Sequence, residues 1–292
     1  MRQECRISII TVNYNGLNET CSMLDSIASV GNTMEVIVVD NASFADEATE
    51  IEKRYPWVRV IRNSVNSGFA GGNNVGIREA HGRYPFLVNN DTVFDPTGLS
   101  ALADRMDKSP QTAIISPKLR FYYGERHIQF SGYTPLSRLT LRNRAIGFGE
   151  SDNGQYDTPH STPYAHGAAM LVRREAIGCV GMLPECYFLY YEELDWSLMM
   201  RRKGYDIIYD PVLTVFHKES ATTGSDSPLR TYYITRNRFL FARRNVGKLV
   251  RWGTYAYLSC LVLPRDIFSH VVHRRWDLAR SCVKGFFDFI LL

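Results

Sequence analysis

The chain has 292 residues, is 45% hydrophobic and has a mean hydropathy of −0.20, which excludes a disordered chain and provides for a sizeable core. Its length predicts one large domain or two smaller ones, and no uninterrupted apolar run reaches the ~18 residues of a spanning helix. The net charge of +4 is segregated: residues 1–229 carry 22 Lys/Arg against 27 Asp/Glu, whereas residues 230–292 carry 12 against 3. Two different surfaces are therefore expected, with a boundary near Pro228.

In chain order, residues 7–12 form a short apolar run ending in the polar loop Asn13-Tyr14-Asn15-Gly16. Asn18 is placed to cap an amphipathic helix reaching about Val30. A β-branched strand is expected at 35–39, a helix at 46–55 and a third strand at 58–61. The Gly/Asn-rich stretch 63–76 then opens a helix running through 77–80, and a fourth strand at 84–88 ends in Asn89-Asn90-Asp91. Short strands alternating with helices imply an α/β domain with a mostly parallel sheet. Ligands bind such sheets beyond the carboxyl ends of the strands, where these polar loops sit. Residues 120–164 have poor periodicity and read as short strands and long loops, fitting a lid or an acceptor-binding region. Regularity returns at 167–173, in a helix at 194–203 and in an apolar strand at 211–216 closed by His217. From Pro228 onward the pattern is helical.

Residues 1–6 run directly into a strand without the apolar region of a signal peptide, giving the expectation of a cytosolic protein. The six cysteines (Cys5, Cys21, Cys179, Cys186, Cys260 and Cys282) are scattered, with no zinc spacing, and are expected to be reduced and mostly buried.

Three groups of residues suggest chemistry. Asn89-Asn90-Asp91 places two oxygen-bearing side chains at i and i+2, able to face one hard cation such as Mg²⁺ or Mn²⁺. Taken alone, it reads first as an Asn/Asp turn, and Asp40 alone reads as a cap or turn residue. Glu192, Glu193 and Asp195 open a helix whose dipole favours negative charge, yet their mutual repulsion raises carboxylate pKa values and suits a general base. His217, by itself, reads as a structural histidine. The segment from Ser67 to Gly76 could bring backbone N–H groups close to a nucleotide, but it matches neither a dinucleotide-binding nor a P-loop pattern.

Taken together, the order of motifs resembles the family 2 glycosyltransferases with a GT-A fold, and most nearly the bacterial polysaccharide rhamnosyltransferases. The likeness covers about residues 5–245. It is carried by the 9–15 segment, Val38-Val39-Asp40-Asn41-Ala42-Ser43, the 66–73 Gly-rich turn, Asn89-Asn90-Asp91, Gly167-Ala168-Ala169-Met170, the 191–196 carboxylate cluster and Val215-Phe216-His217. The resemblance implies a Rossmann-like nucleotide-sugar-binding domain over 1–227, followed by amphipathic helices. Thr11, Asn13 and Asn15 would lie along the nucleotide, Asp40 and Asn41 by the base, and Gly68, Asn73 and Asn90 around the nucleoside and its diphosphate. Asp91 would be the main carboxylate on a divalent ion, completed by His217, with Asn89 replacing the first aspartate of the family's DxD motif. Glu193 would be the catalytic base, and Asp195 would orient the acceptor or structure the helix. The implied reaction is inverting transfer, with L-rhamnose from dTDP-L-rhamnose the first choice and another UDP- or dTDP-sugar the alternative.

Residues 228–292 mix arginines with Trp and Phe, a pattern suited to an anionic membrane surface. This favours a peripheral position on the inner face of the plasma membrane, beside a lipid-linked saccharide acceptor. Packing on the catalytic domain or a homo-oligomer interface is the alternative, and no nucleic-acid module is visible. A nucleotidyltransferase would need a Gly-rich basic motif after the first strand, where Asn13-Tyr14-Asn15-Gly16 stands instead. Asn89 is the best support for a non-catalytic binding module; Glu193, Asp91 and His217 oppose it.

Overall fold

The computed structural model describes residues 6–30, 33–218 and 227–292. The expectations for residues 1–5, including Cys5, lie outside the described residues. The N-terminal half contains β1 (Ile7–Asn13), α1 (Leu17–Ser26), β2 (Glu35–Asp40), α2 (Glu47–Arg54), β3 (Arg59–Arg62), α3 (Gly68–Glu79) and β4 (Tyr84–Val88). β5 (Thr92–Phe94), α4 (Thr97–Lys108), β6 (Thr112–Phe121), β7 (Ile128–Phe130) and β8 (His160–Ser161) follow. Then come β9 (Ala169–Val172), α5 (Arg174–Val180), α6 (Glu192–Arg202) and β10 (Asp206–His217). The C-terminal helices are α7 (Pro228–Asn245), α8 (Lys248–Tyr257), α9 (Leu263–Val272) and α10 (Trp276–Leu291).

One sheet runs through the molecule in the order β3-β2-β1-β4-β9-β6-β10-β5, with β7 paired to β6 and β8 to β10. The first four strands are parallel, β9 is antiparallel to both neighbours, and β5 is antiparallel to β10. Strands buried on both faces read as continuous apolar runs because each alternate side chain meets a different helical layer. Thus Ile9, Val36 and Val38 pack with Met23 and Leu24 of α1, while Ile10, Ile37 and Val39 pack with Ala70 and Ile77 of α3.

Several local expectations need correction. α1 starts after Gly16, not Asn18, and ends at Ser26, with a separate 3₁₀ turn at Ala28–Val30. Thr20 N–H donates to the Gly16 carbonyl at 2.9 Å and begins the helix on backbone bonds alone. The glycine-rich stretch is the first turns of α3 rather than a loop before it. Its glycines permit close approach to β1: a Cβ on Gly72 would lie 2.9 Å from Val12 Cγ1. α2, by contrast, has a side-chain cap, Asp46 accepting from Thr49 N–H at 3.2 Å. Among the described residues the free cysteines are Cys21 and Cys282, both buried, and Cys179, Cys186 and Cys260, all exposed, so these thiols are not mostly buried.

α7 begins with Pro228 behind a Ser227 cap, at the charge boundary. Phe239, Leu240 and Phe241 form a third core with Tyr187, Leu258 and Val262, against which Phe286 and Phe289 pack. Pro264 does not end a helix: a π-helical turn at Leu258–Val262 joins α8 to α9 and absorbs the missing donor. Among the described residues no helix is long and apolar enough to cross a membrane.

Candidate functional site

A cavity of about 540 Å³ opens beyond the carboxyl ends of β1 and β4. Asn41, Gly68 and Asn73 line one side, Asn89, Asn90, Asp91 and His217 another, and Glu192 and Glu193 a third. Leu229 and Arg230 of α7 complete the wall, so the C-terminal helices take part in the site.

Asp91 and His217 meet because β5 and β10 are antiparallel in a register that sets His217 opposite Thr92. His217 Nε2 lies 3.2 Å from Asp91 Oδ1, and its Nδ1 lies 2.9 Å from Gln129 Oε1. A carboxamide oxygen only accepts, so Nδ1 carries a proton and donates to Gln129, and Nε2 faces the carboxylate. Asp91 Oδ1 is buried without a hydrogen-bond partner. Carboxylate, imidazole and the Asn89 carboxamide, all lining the cavity, are O/N groups of the kind that can ligate Mg²⁺ or Mn²⁺. Among the described residues no group of three or more His, Cys, Asp or Glu is clustered for a metal. The remaining ligands would have to come from amide oxygens, water or substrate phosphates.

Glu192 and Glu193 open α6 directly, two residues earlier than expected. Burial pushes the Glu192 carboxyl well above the usual carboxylate range, reinforced by the neighbouring Glu193 charge, and its Oε2 has no hydrogen-bond partner. Burial also raises Glu193, while the backbone N–H groups of Glu193, Leu194 and Tyr191 pull it back. Backbone N–H groups pull Glu192 back as well, so both carboxyls are raised and titrate together as a pair.

Asn41 is the hub of the donor-side loop. Its Nδ2 donates to Asn66 Oδ1 at 3.0 Å and to the Gly68 carbonyl at 3.1 Å, while its Oδ1 accepts from Asn63 Nδ2 at 2.9 Å and from Ser67 N–H at 3.1 Å. Asn73 donates to the Phe69 carbonyl at 2.9 Å. Asn90 lines the cavity but turns its Nδ2 to Thr20 Oγ1 at 3.0 Å.

Other expected residues stand behind this wall. Thr11 is buried in mid-strand with no partner for its hydroxyl. Asn13 Nδ2 donates to Asp40 Oδ1 at 2.8 Å and Glu47 Oε2 at 2.7 Å, and Asp40 also accepts from the Ser43 hydroxyl at 2.6 Å. Asn15 Oδ1 accepts from Phe44 N–H at 2.8 Å. Asp195 is buried away from the cavity, accepting from Tyr187 Oη at 2.9 Å and pairing with Arg244 Nε at 2.6 Å.

The cavity also contains residues the sequence reading did not single out, among them Gln129, Tyr133, His166 and Arg230. Desolvation, with the His217 charge second, pushes His166 down to about 3, so it is neutral; its Nδ1 accepts from Ala168 N–H at 3.1 Å. Its place directly before Gly167-Ala168-Ala169 was the available signal. Gln129 and Tyr133 lie in the aperiodic middle region, which had none.

This architecture has known counterparts. It resembles GalNAc-T7 solved with UDP, GalNAc and Mn²⁺ (TM-score 0.61, 13% identity, 82% of this chain and 51% of that chain). It also resembles the mannosyltransferase PcManGT from Pyrobaculum calidifontis, solved with GDP-Man and Mn²⁺ (TM-score 0.57, 15% identity, 99% and 88%). The chain thus spans about half the length of the GalNAc-T7 chain. In sequence it is 27% identical over 286 residues to the low-salt glycan biosynthesis hexosyltransferase Agl10 of Haloferax volcanii, covering 96% of this chain and 89% of that protein. It is 26% identical over 284 residues to the dTDP-rhamnosyl transferase RfbF of Shigella flexneri, covering 91% and 86%. It is 24% identical over 295 residues to an N-acetylglucosaminyl-diphospho-decaprenol L-rhamnosyltransferase of Mycobacterium tuberculosis, covering 89% and 94%. The profile described as glycosyl transferase family 2 matches residues 8–181, more than half of the chain, and with the GT-A architecture built around this cavity the protein belongs to that family.

Proposed function

We propose that the protein is an inverting, metal-assisted transferase that moves a sugar, first choice L-rhamnose from dTDP-L-rhamnose, onto a hydroxyl of a lipid-linked saccharide in bacterial cell-surface polysaccharide synthesis. The observation that carries the reaction type is the sharing of one cavity by the Asp91–His217 pair and the Glu192–Glu193 pair. The rhamnose preference is supported by two relatives named as rhamnosyltransferases. Asp91, His217 and Asn89 would hold the metal, which when bound neutralises the charge on the leaving diphosphate. The 63–73 turn, held by Asn41, gives the nucleoside its wall. Glu193 accepts the proton of the attacking hydroxyl. Attack from the face opposite the diphosphate inverts the anomeric carbon.

The test is a melting-temperature screen against dTDP, UDP and GDP with and without Mn²⁺. A nucleotide at 100 times its Kd stabilises the native state by about 2.7 kcal/mol, which reads as several degrees. dTDP with Mn²⁺ is expected to give the largest rise. No rise with any nucleotide would sink the proposal.

The same proposal includes a position on the inner face of the plasma membrane. Leu249 is 92% exposed, Trp252 74% and Phe268 69%, and α9 buries none of its residues. Lys248 and Arg251 lie on α8 and Arg265 on α9. Such a surface suits anionic lipid, where each basic residue adds about 1 kcal/mol. The protein should float with phosphatidylglycerol vesicles at low salt and retain weaker binding at high salt, since screening spares the apolar contribution. Replacing Leu249, Trp252 and Phe268 together by Ser should abolish the high-salt remainder without loss of melting temperature. Absence of flotation at low salt would leave these helices as packing or oligomer elements.

A further inference from the structure

The carboxylates of the cavity are approached through a strained turn. Just before α6, Phe188, Tyr190 and Tyr191 adopt φ values of 68°, 68° and 81°. Bulky side chains rarely occupy this left-handed region, and they persist there only where the surroundings over-determine them.

Those surroundings come from α7. Asn237, fully buried and outside the cavity wall, directs its Nδ2 at three carbonyl oxygens: Tyr187 at 3.0 Å, Leu189 at 2.7 Å and Tyr190 at 2.9 Å. Arg236 adds a bond to the Tyr187 carbonyl at 2.6 Å, and the Tyr233 ring stacks on Phe188 at 5.0 Å. From the other side, Phe69 N–H donates to the Phe188 carbonyl at 2.8 Å, joining the turn to the start of α3. A carboxamide has two N–H bonds for these three carbonyls, so one is shared, and Arg236 gives the Tyr187 carbonyl a further donor.

We propose that Asn237 is a positioning residue for the transfer reaction: from outside the cavity, its carboxamide clamps the 187–190 carbonyls and so sets how α6 presents Glu193 to the acceptor hydroxyl. This rests on the reading of Glu193 as the base. The consequence is specific: Asn237 acts on the chemical step, where a small displacement of a reacting group is costly, and not on donor binding.

The variants are Asn237→Leu, which keeps the shape without donors, and Asn237→Ser, which keeps one donor. Amide exchange, kcat and calorimetric affinity for dTDP with Mn²⁺ are measured on each. In Asn237→Leu, exchange over 188–193 should quicken while the central strands stay protected, and kcat should fall about 10- to 100-fold with dTDP affinity unchanged. Asn237→Ser should fall in between, and it carries the test if the leucine variant does not fold. A folded variant with wild-type kcat, unchanged exchange over 188–193, or a loss of dTDP affinity matching the loss of kcat overturns the proposal. If the wild-type protein transfers sugar from no donor, the base reading fails on its own, and exchange still decides whether Asn237 holds the turn.

Discussion

Glu193→Gln is expected to lower turnover by about 10²–10⁴-fold while leaving nucleotide affinity in place. The substitution keeps the shape and removes only the ability to take a proton. Wild-type activity supplies a second signature. Burial raises the Glu193 carboxyl, and only its ionised form is a base, so the acidic limb of kcat should lie above the ordinary glutamate range, with rate rising as pH increases through it. The stability sign is opposite. Both carboxyls are raised in the folded protein, so the native state binds more protons than the unfolded chain, and their contribution is present at low pH and lost as pH rises through the folded values. A pH series of kcat on both proteins is the measurement. Near-wild-type turnover in Glu193→Gln would pass the role to Glu192 or end the base assignment.

Asp91→Ala is expected to reduce dTDP affinity in Mn²⁺ to its metal-free value. Asp91 is the one charged residue of the 89–91 segment, and its Oδ1 makes no hydrogen bond. It faces His217 across 3.2 Å without hydrogen-bond geometry, so its removal should change the melting temperature of the metal-free protein little. Calorimetry with dTDP, with and without Mn²⁺, separates the effects. A Mn²⁺-dependent gain in affinity that survives the substitution would remove Asp91 from the metal site. A melting temperature that collapses without ligand would show that the carboxylate is structural.

The parallel half of the sheet was legible because strands covered on both faces must be apolar throughout, and the loops between them must not. β1, β2 and β4 and the polar segments at their ends follow from that, whereas β3 is a half-exposed edge strand. α4 and β6 were not singled out, and the middle region gave no periodicity from which to place Gln129 or Tyr133. They reach the cavity through long-range strand pairing, β7 on β6, which leaves no local pattern. The C-terminal helices show a different limit. Phe239 and Trp252 both fit an amphipathic helix, yet Phe239 is buried beneath Phe286 and Phe289 while Trp252 is 74% exposed.

The sequence by itself determined the alternation of strands and helices, the segregation of charge at Pro228 and the identity of the side chains able to ligate or accept a proton. The tertiary structure decided which of them meet. His217 lies beside Asp91 because β10 pairs with β5 in one register, Asp195 is drawn behind the cavity to Arg244, and Asn237 is brought beneath the turn that precedes Glu193. Local propensity acts over a few residues. These contacts join residues far apart in the chain, and they are set by the packing of whole strands and helices, which places polar groups where only one another, or a ligand, can satisfy them.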